Sequence, residues 1–179
     1  MKGARPAIMQ IKAVKDDGTF EGYLSVFGDE DSYGDVVEKG AFAKTLQEKG
    51  PKRPLLWQHA AFEPVGVLEA KEDDHGLLIK GSLNLDVQRG REAYSLLKQG
   101  AVTGLSQGFV PVSWTPRKTG GGRQLKEVDL WEGSLATFPA LTSAQIHSVR
   151  SLLPPWLQDE QQDNEDLKVA VAACRKALS

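Results

Sequence analysis

The segment Gly104-Leu105-Ser106-Gln107-Gly108-Phe109-Val110-Pro111-Val112-Ser113-Trp114-Thr115-Pro116 limits the fold more than any other part of the chain. It holds a serine between two glycines and then runs into β-branched and aromatic residues twice interrupted by proline. Proline removes a helix hydrogen bond and clashes with the preceding turn, whereas valine, phenylalanine, tryptophan and threonine suit a pleated surface. The segment is therefore a long strand, predicted over 101 to 115. A second, Lys126 to Phe138 within 124 to 138, follows across the loop Thr119-Gly120-Gly121-Gly122-Arg123. A chain closed by two such strands is mainly β.

The rest of the pattern agrees. Ile8 to Val14 and Thr19 to Phe27 alternate as strands joined at Asp16-Asp17-Gly18, a hairpin signal. After the polar stretch Gly28 to Asp35, residues Gly40 to Gly50 place Phe42 and Leu46 four apart and end on a capping glycine, which predicts a short helix. Strands are predicted at 53 to 58, 65 to 71 and 76 to 83, the last two separated by the turn Glu72-Asp73-Asp74-His75. Val87 to Gln99 is a second helix, with Ala93, Leu96 and Leu97 at helical spacing and Gly100 as its stop. The expected class is α+β, mainly β.

Length and charge narrow the function. A chain of 179 residues supports one ordinary core plus an appendage. The boundary is predicted near residue 150, where Pro154-Pro155 and the polar stretch Gln158 to Glu165 separate a body, 1 to 150, from an acidic linker and an amphipathic helix striped by Leu167, Val171, Cys174 and Leu178, over 151 to 179. With 22 Lys+Arg against 24 Asp+Glu and a formal charge of −2, no basic excess points to nucleic acid. The single cysteine, Cys174, excludes an internal disulfide framework and suits a reducing compartment. No apolar run is long enough to span a membrane, and the N-terminus lacks a signal-peptide core. Asp29, Asp31 and Asp35 match the start of a calcium loop, but Tyr33 takes a ligand position and Gly40 stands where the bidentate glutamate belongs. Scattered histidines and one cysteine offer no zinc set, and the glycine run lacks the Lys-Ser/Thr of a phosphate loop. No metal or cofactor is expected.

The chemistry rests on Ser106 and His59. A serine hydroxyl needs a base within hydrogen-bond reach and a third group to orient that base. His59 ends the apolar run Pro54-Leu55-Leu56-Trp57-Gln58-His59, and base before nucleophile is the order of a serine hydrolase. The GxSxG pattern is not the elbow of the α/β-hydrolases, because that motif leads directly into a helix and here a strand follows. For the third group, an unbroken strand from Lys126 to Phe138 puts Val128, Leu130, Glu132, Ser134 and Ala136 on one face, making Glu132 a carboxylate among apolar neighbours in want of a partner such as histidine. A β-bulge would reverse that parity. Glu127 and Asp129 fall on the opposite, solvated face. His75 belongs to a loop.

Five motifs in order resemble the prohead maturation protease family of tailed bacteriophages: Gly34-Asp35-Val36-Val37 with Gly40-Ala41-Phe42, Leu56-Trp57-Gln58-His59, Pro64-Val65-Gly66, Gly104-Leu105-Ser106-Gln107-Gly108-Phe109, and Glu132-Gly133-Ser134-Leu135-Ala136-Thr137-Phe138-Pro139-Ala140. The resemblance spans roughly residues 10 to 145. That family is related in fold to the herpesvirus protease assemblin, which implies a small, mostly antiparallel β-barrel with short helices around it. It implies Ser106 as nucleophile, His59 as general base and Glu132 where assemblin has a second histidine, with His147 as the alternative. It also implies an oxyanion site from the amides near Ala140 and Leu141, since Pro139 has no N–H.

The expected function is then a serine endopeptidase that processes scaffold or capsid-protein segments, and itself, during prohead maturation. Its place is the assembling prohead in the host cytoplasm. Assemblin relatives work as dimers, so the resemblance leaves a homodimer open. The competing class is a non-enzymatic capsid-assembly or scaffold-binding module that keeps the fold without turnover. An esterase acting on small substrates is the rival among enzymes, disfavoured by the absence of a long apolar lid.

Overall fold

The computed structural model describes residues 14 to 144. The predicted strand Ile8 to Val14, apart from Val14, and everything proposed for 151 to 179 lie outside them, as does His147. The elements run β1 (Thr19–Val26), β2 (Val36–Val37), α1 (Ala43–Lys49), β3 (Lys52–Trp57), β4 (Ala60–Glu72), β5 (Gly76–Leu83), α2 (Gln88–Gln99), β6 (Gly104–Pro116) and β7 (Arg123–Ala136). Strand β4 begins well before the predicted residue 65, so the run ending at His59 turns straight back on itself. Strand β6 starts at Gly104 rather than 101, because Ala101 and Val102 still donate to the Leu96 carbonyl at the end of α2.

The strands form one curled sheet in the order β1-β5-β4-β3-β7-β2, with β6 also on β7. Pairing is antiparallel except where β7 meets β2 and β3. The predicted mostly antiparallel, mainly β architecture is what is found. Strands β1 and β6, which belong to the two ends of this order, lie side by side. They make side-chain rather than ladder contact, Gln107 Nε2 donating to Ser25 Oγ at 3.4 Å.

Strand β7 organises the molecule. Along one edge it pairs with β6 over nearly its whole length. Its other edge is shared in parallel register by β2, Val36 and Val37 opposite Gln124 and Leu125, and by β3, Leu55 to Trp57 opposite Gly133 to Leu135. Backbone groups between these short ladders still need partners if they are buried. Val128 N–H donates to the Ala41 carbonyl at 3.0 Å, Leu130 N–H to Thr45 Oγ1 at 3.3 Å, and Arg53 Nε reaches the Leu130 carbonyl at 2.6 Å. The buried Arg53 also donates to the Gly50 carbonyl at 2.9 Å and the Lys52 carbonyl at 2.6 Å, joining the end of α1 to β3 and β7.

The concave side of the sheet holds the core, where Leu24, Leu55, Leu68, Leu77, Ile79, Leu105, Leu130 and Leu135 are sealed from water. Helix α2 covers it with Ala93 and Leu97 and ends at Gly100, whose N–H donates to the Leu97 carbonyl at 3.1 Å. Truncating one such buried leucine to alanine costs about 2–5 kcal/mol. Helix α1 is seated by the acids expected to be merely solvated: Lys44 meets Glu127 at 2.9 Å, and Lys49 meets Asp129 at 2.7 Å. In the turn before β5, His75 packs edge-on against Tyr23 with ring centroids 4.9 Å apart. The Asp73 carboxylate there accepts the Tyr23 hydroxyl at 2.6 Å and pushes the phenol up to about 12.

Candidate active site

His59 stands at the tip of the β3–β4 hairpin. Trp57 pairs with Ala60, leaving Gln58 and His59 as a two-residue turn, and both carry positive φ, 51° and 62°. Two-residue hairpins favour this left-handed geometry because it matches strand twist, but asparagine and glycine usually supply it. Here backbone and side-chain contacts to the end of β7 and the residues after it hold it instead. Gln58 N–H donates to the Leu135 carbonyl at 3.0 Å, its Nε2 to Thr137 Oγ1 at 2.8 Å, and Thr137 N–H returns to Gln58 Oε1 at 3.3 Å. His59 N–H donates to Ser134 Oγ at 3.0 Å. A strained tip pinned from both sides is typical of a functional position.

The His59 ring is held at both nitrogens. Nδ1 lies 2.6 Å from Glu132 Oε1 and Nε2 lies 2.8 Å from Ser106 Oγ. An ionised carboxylate only accepts, so Nδ1 carries the proton and Nε2 of the neutral ring is left to accept from the serine hydroxyl. The hydrogen bond to Glu132 raises the His59 pKa above its ordinary value, reinforced by the carboxylate's charge and opposed by burial.

Glu132 reaches this position by a route the sequence pattern did not give. Gly108 pairs with Glu132 and Phe109 with Leu130, so Trp131 is an extra residue on β7. This bulge reverses the predicted parity: Val128 and Leu130 face the core, but beyond it Gly133 and Leu135 do. A Cβ on Gly133 would meet Leu68 Cδ2 at 2.5 Å and Leu24 Cδ2 at 3.1 Å, inside that core. Glu132 and Ser134 therefore share the other face with Ser106 and His59. The carboxylate is hydrogen-bonded at both oxygens, Oε1 by His59 Nδ1 and Oε2 accepting from Ser134 Oγ at 2.8 Å. Ser134 is the member missed by sequence reasoning. The available signal was its place two residues along the strand from Glu132.

The glycines around Ser106 have a packing reason. A Cβ on Gly108 would collide with Glu132 Oε1, and one on Gly104 would come within 2.5 Å of the Ala136 carbonyl and 2.6 Å of Pro139 Cδ. The motif lies on a strand, as predicted, and not on an elbow, and its neighbours approach it closely at both glycines. Ser106 and His59 open into a cavity of ≈ 380 Å³ walled by Leu24, Phe109 and Leu141, with Asp31, Tyr33 and Arg123 also lining it. Ala140 and Leu141 line the same cavity, and neither backbone N–H donates to another group among the described residues. Two of the acids considered for calcium are engaged otherwise: Asp31 Oδ1 accepts the N–H groups of Tyr33 and Asp35 at 2.9 Å, and the buried Asp35 pairs with Arg123. Among the described residues no cluster of three or more His, Cys, Asp or Glu offers a metal site, and no helix is long and apolar enough to cross a membrane.

Comparison with known proteins decides the family. Residues 7–155 match the model of the caudovirus prohead serine protease family. The chain belongs to that family. It is 33% identical over 153 residues to the prohead protease of Enterobacteria phage HK97, covering 79% of this chain and 68% of that protein. It is also 33% identical over 159 residues to the capsid polyprotein of Pseudomonas phage PAJU2, covering 80% of this chain but 22% of the polyprotein. In fold it is similar to KSHV protease, solved in complex with a hexapeptide phosphonate inhibitor. That match has a TM-score of 0.50 at 14% identity and covers 71% of this chain and 62% of that one. The family membership and the fold agree with the predicted prohead maturation protease, and a non-enzymatic assembly module is not favoured.

Proposed function

We propose that this prohead protease is a serine endopeptidase in which Ser106 is the nucleophile, His59 the general base and Glu132 the group that orients it. The observation that carries the proposal is the bridging of one imidazole between Glu132 at 2.6 Å and Ser106 at 2.8 Å. Ser106 Oγ attacks the scissile carbonyl carbon while Nε2 takes its proton, and Glu132 stays ionised and stabilises the imidazolium. The carbonyl oxygen becomes an oxyanion, for which the amides of Ala140 and Leu141 are the proposed donors. Collapse breaks the C–N bond, and the imidazolium returns its proton to the departing amine. Water, deprotonated by His59, then hydrolyses the acyl-enzyme and frees Ser106.

The proposed substrates are extended segments of scaffold or capsid protein, and the place of action is the assembling prohead in the host cytoplasm. The capsid polyprotein relative supports this reading, since the segment that resembles this chain makes up 22% of a longer protein named for the capsid. Residues 1 to 150 are proposed as the protease domain and 151 to 179 as a dispensable, self-cleaved appendage, on the strength of Pro154-Pro155 and the acidic stretch.

Wild-type and Ser106→Ala chains incubated side by side, with fragments mapped by mass spectrometry, test the proposal. The wild-type chain is expected to cut within 151 to 179 and to bind a fluorophosphonate at Ser106, and the variant to do neither. Fragments from both chains, or labelling elsewhere, would overturn it.

A further inference from the structure

The Ser134 side chain is fully buried, pairs across the ladder with Ser106 and lies beside Leu56 of β3, yet the mechanism above gives it no part. Its hydroxyl has one proton to give and lone pairs to receive. The proton goes to Glu132 Oε2 at 2.8 Å, and the oxygen receives His59 N–H at 3.0 Å. With the bond from Nδ1 to Oε1, these contacts close a ring that leaves His59 through its backbone and returns through its imidazole. Such a circuit fixes the imidazole relative to its own left-handed backbone. No rotation of the His59 side chain is possible without breaking a bond to a carboxylate or releasing the hairpin tip.

We propose that Ser134 is a positioning residue, acting through Glu132 and His59 together to hold the base in line with Ser106 and to moderate the carboxylate that it faces. This rests on the reading of His59 as general base. The moderating effect follows from charge: a hydroxyl donated to a carboxylate stabilises its anion, leaving less of that charge for the imidazolium. Without the hydroxyl, the Glu132–His59 pair holds its proton more tightly. The charged groups around the hairpin are few. Glu132 comes from β7, while Asp31, Asp35 and Arg123 line the cavity, the last two paired with each other. Arg89 of α2 lies 6.0 Å over the Trp57 ring and is paired with Glu63 and Glu92.

The test compares full-length Ser134→Ala, Ser134→Thr and Ser134→Val with wild type on a peptide substrate, each with a thermal melt. Ser134→Ala is expected to lower kcat by about 10–100-fold at unchanged KM, and to move the acid limb of kcat/KM upward by about half a pH unit. Glu132→Gln is expected to move the same limb downward, so the two shifts have opposite signs. Threonine and valine have the same shape and add the same bulk to this sealed site, so their difference isolates the hydroxyl whatever the folding cost. The threonine chain should outperform the valine chain by about tenfold. A Ser134→Ala enzyme with wild-type kcat and acid limb, or threonine and valine chains that behave alike, overturns the inference. If Ser106→Ala itself still cleaves, the serine mechanism fails instead, and the two failures are distinguishable.

Discussion

The β6–β7 ladder and the β3–β4 hairpin tip both deliver side chains to the same few ångströms, but by different means. Ser106 and Glu132 stand on paired strands, where backbone hydrogen bonds on either side fix them whatever their side chains do. His59 stands on two residues of left-handed turn, and its position depends on bonds from Leu135, Thr137 and Ser134 of the β7 region. The proposed nucleophile and acid are therefore held within a ladder, and the proposed base on a turn whose left-handed geometry depends on tertiary contacts.

The largest effect should come from removing either reacting group. Ser106→Ala and His59→Ala should each reduce cleavage by about 10⁴-fold or more. The double variant should be no worse than the worse single one, because the two act as a unit. Multiplicative losses in a peptide-cleavage assay would contradict the shared mechanism. The melting temperature of Ser106→Ala should barely change, since losing one hydroxyl leaves no large cavity.

Glu132→Gln comes next, with a loss of about 10³-fold or more but residual activity above that of Ser106→Ala, because the amide can hydrogen-bond but does not stabilise imidazolium. The pH dependence gives the sign. The folded His59 pKa lies above the ordinary imidazole value, so wild-type activity should rise with pH through that higher value. Losing the carboxylate should shift the limb down. For stability the direction is opposite: the imidazolium–Glu132 contribution is complete below the ordinary imidazole pKa of ~6.5 and is lost as pH rises through the folded value. Urea titrations at pH 5.5 and 8.5 should show Glu132→Gln costing more at the lower pH.

Gly108→Ala tests the ladder side of the comparison. The added methyl collides with Glu132 Oε1 and should displace the carboxylate, reducing kcat by about 10²-fold while the strands stay paired. Activity within twofold of wild type would mean that the carboxylate is free to move. The smallest effect is expected at the tip. Thr137→Val removes the partner of Gln58 Nε2 at an exposed site, and kcat should fall about three- to tenfold with KM unchanged. A rise in KM instead would place Thr137 on the substrate side.

Much of this was legible in the sequence because local signals agreed with long-range ones. The prolines of β6 forbade a helix, Gly100 stopped α2 where expected, and Ser106 with His59 could be paired from residue type and order. Glu132 was found by parity, and parity was the wrong reason. Its outward turn comes from the bulge at Trp131, and nothing in the local pattern Asp129-Leu130-Trp131-Glu132 announces an extra residue. The turn at Gln58-His59 was hidden for a similar cause: without glycine or asparagine, its geometry is imposed by β7, more than seventy residues away. Ser134 was placed beside Glu132 but given no role, because the bond it accepts comes from a backbone group that only the fold brings near.

The split edge of β7 has a kinetic meaning. The contacts that complete the site join residues 47 and 73 positions apart, and the strand that anchors both the Ser106 ladder and the His59 turn is the last in chain order among the described residues. Closing such long loops must be paid for before the contacts reward it. A nascent chain that has not yet released Ala136 has no ladder for Ser106 and no anchor for His59. On the proposed mechanism, hydrolytic competence is expected only once β7 has joined the sheet.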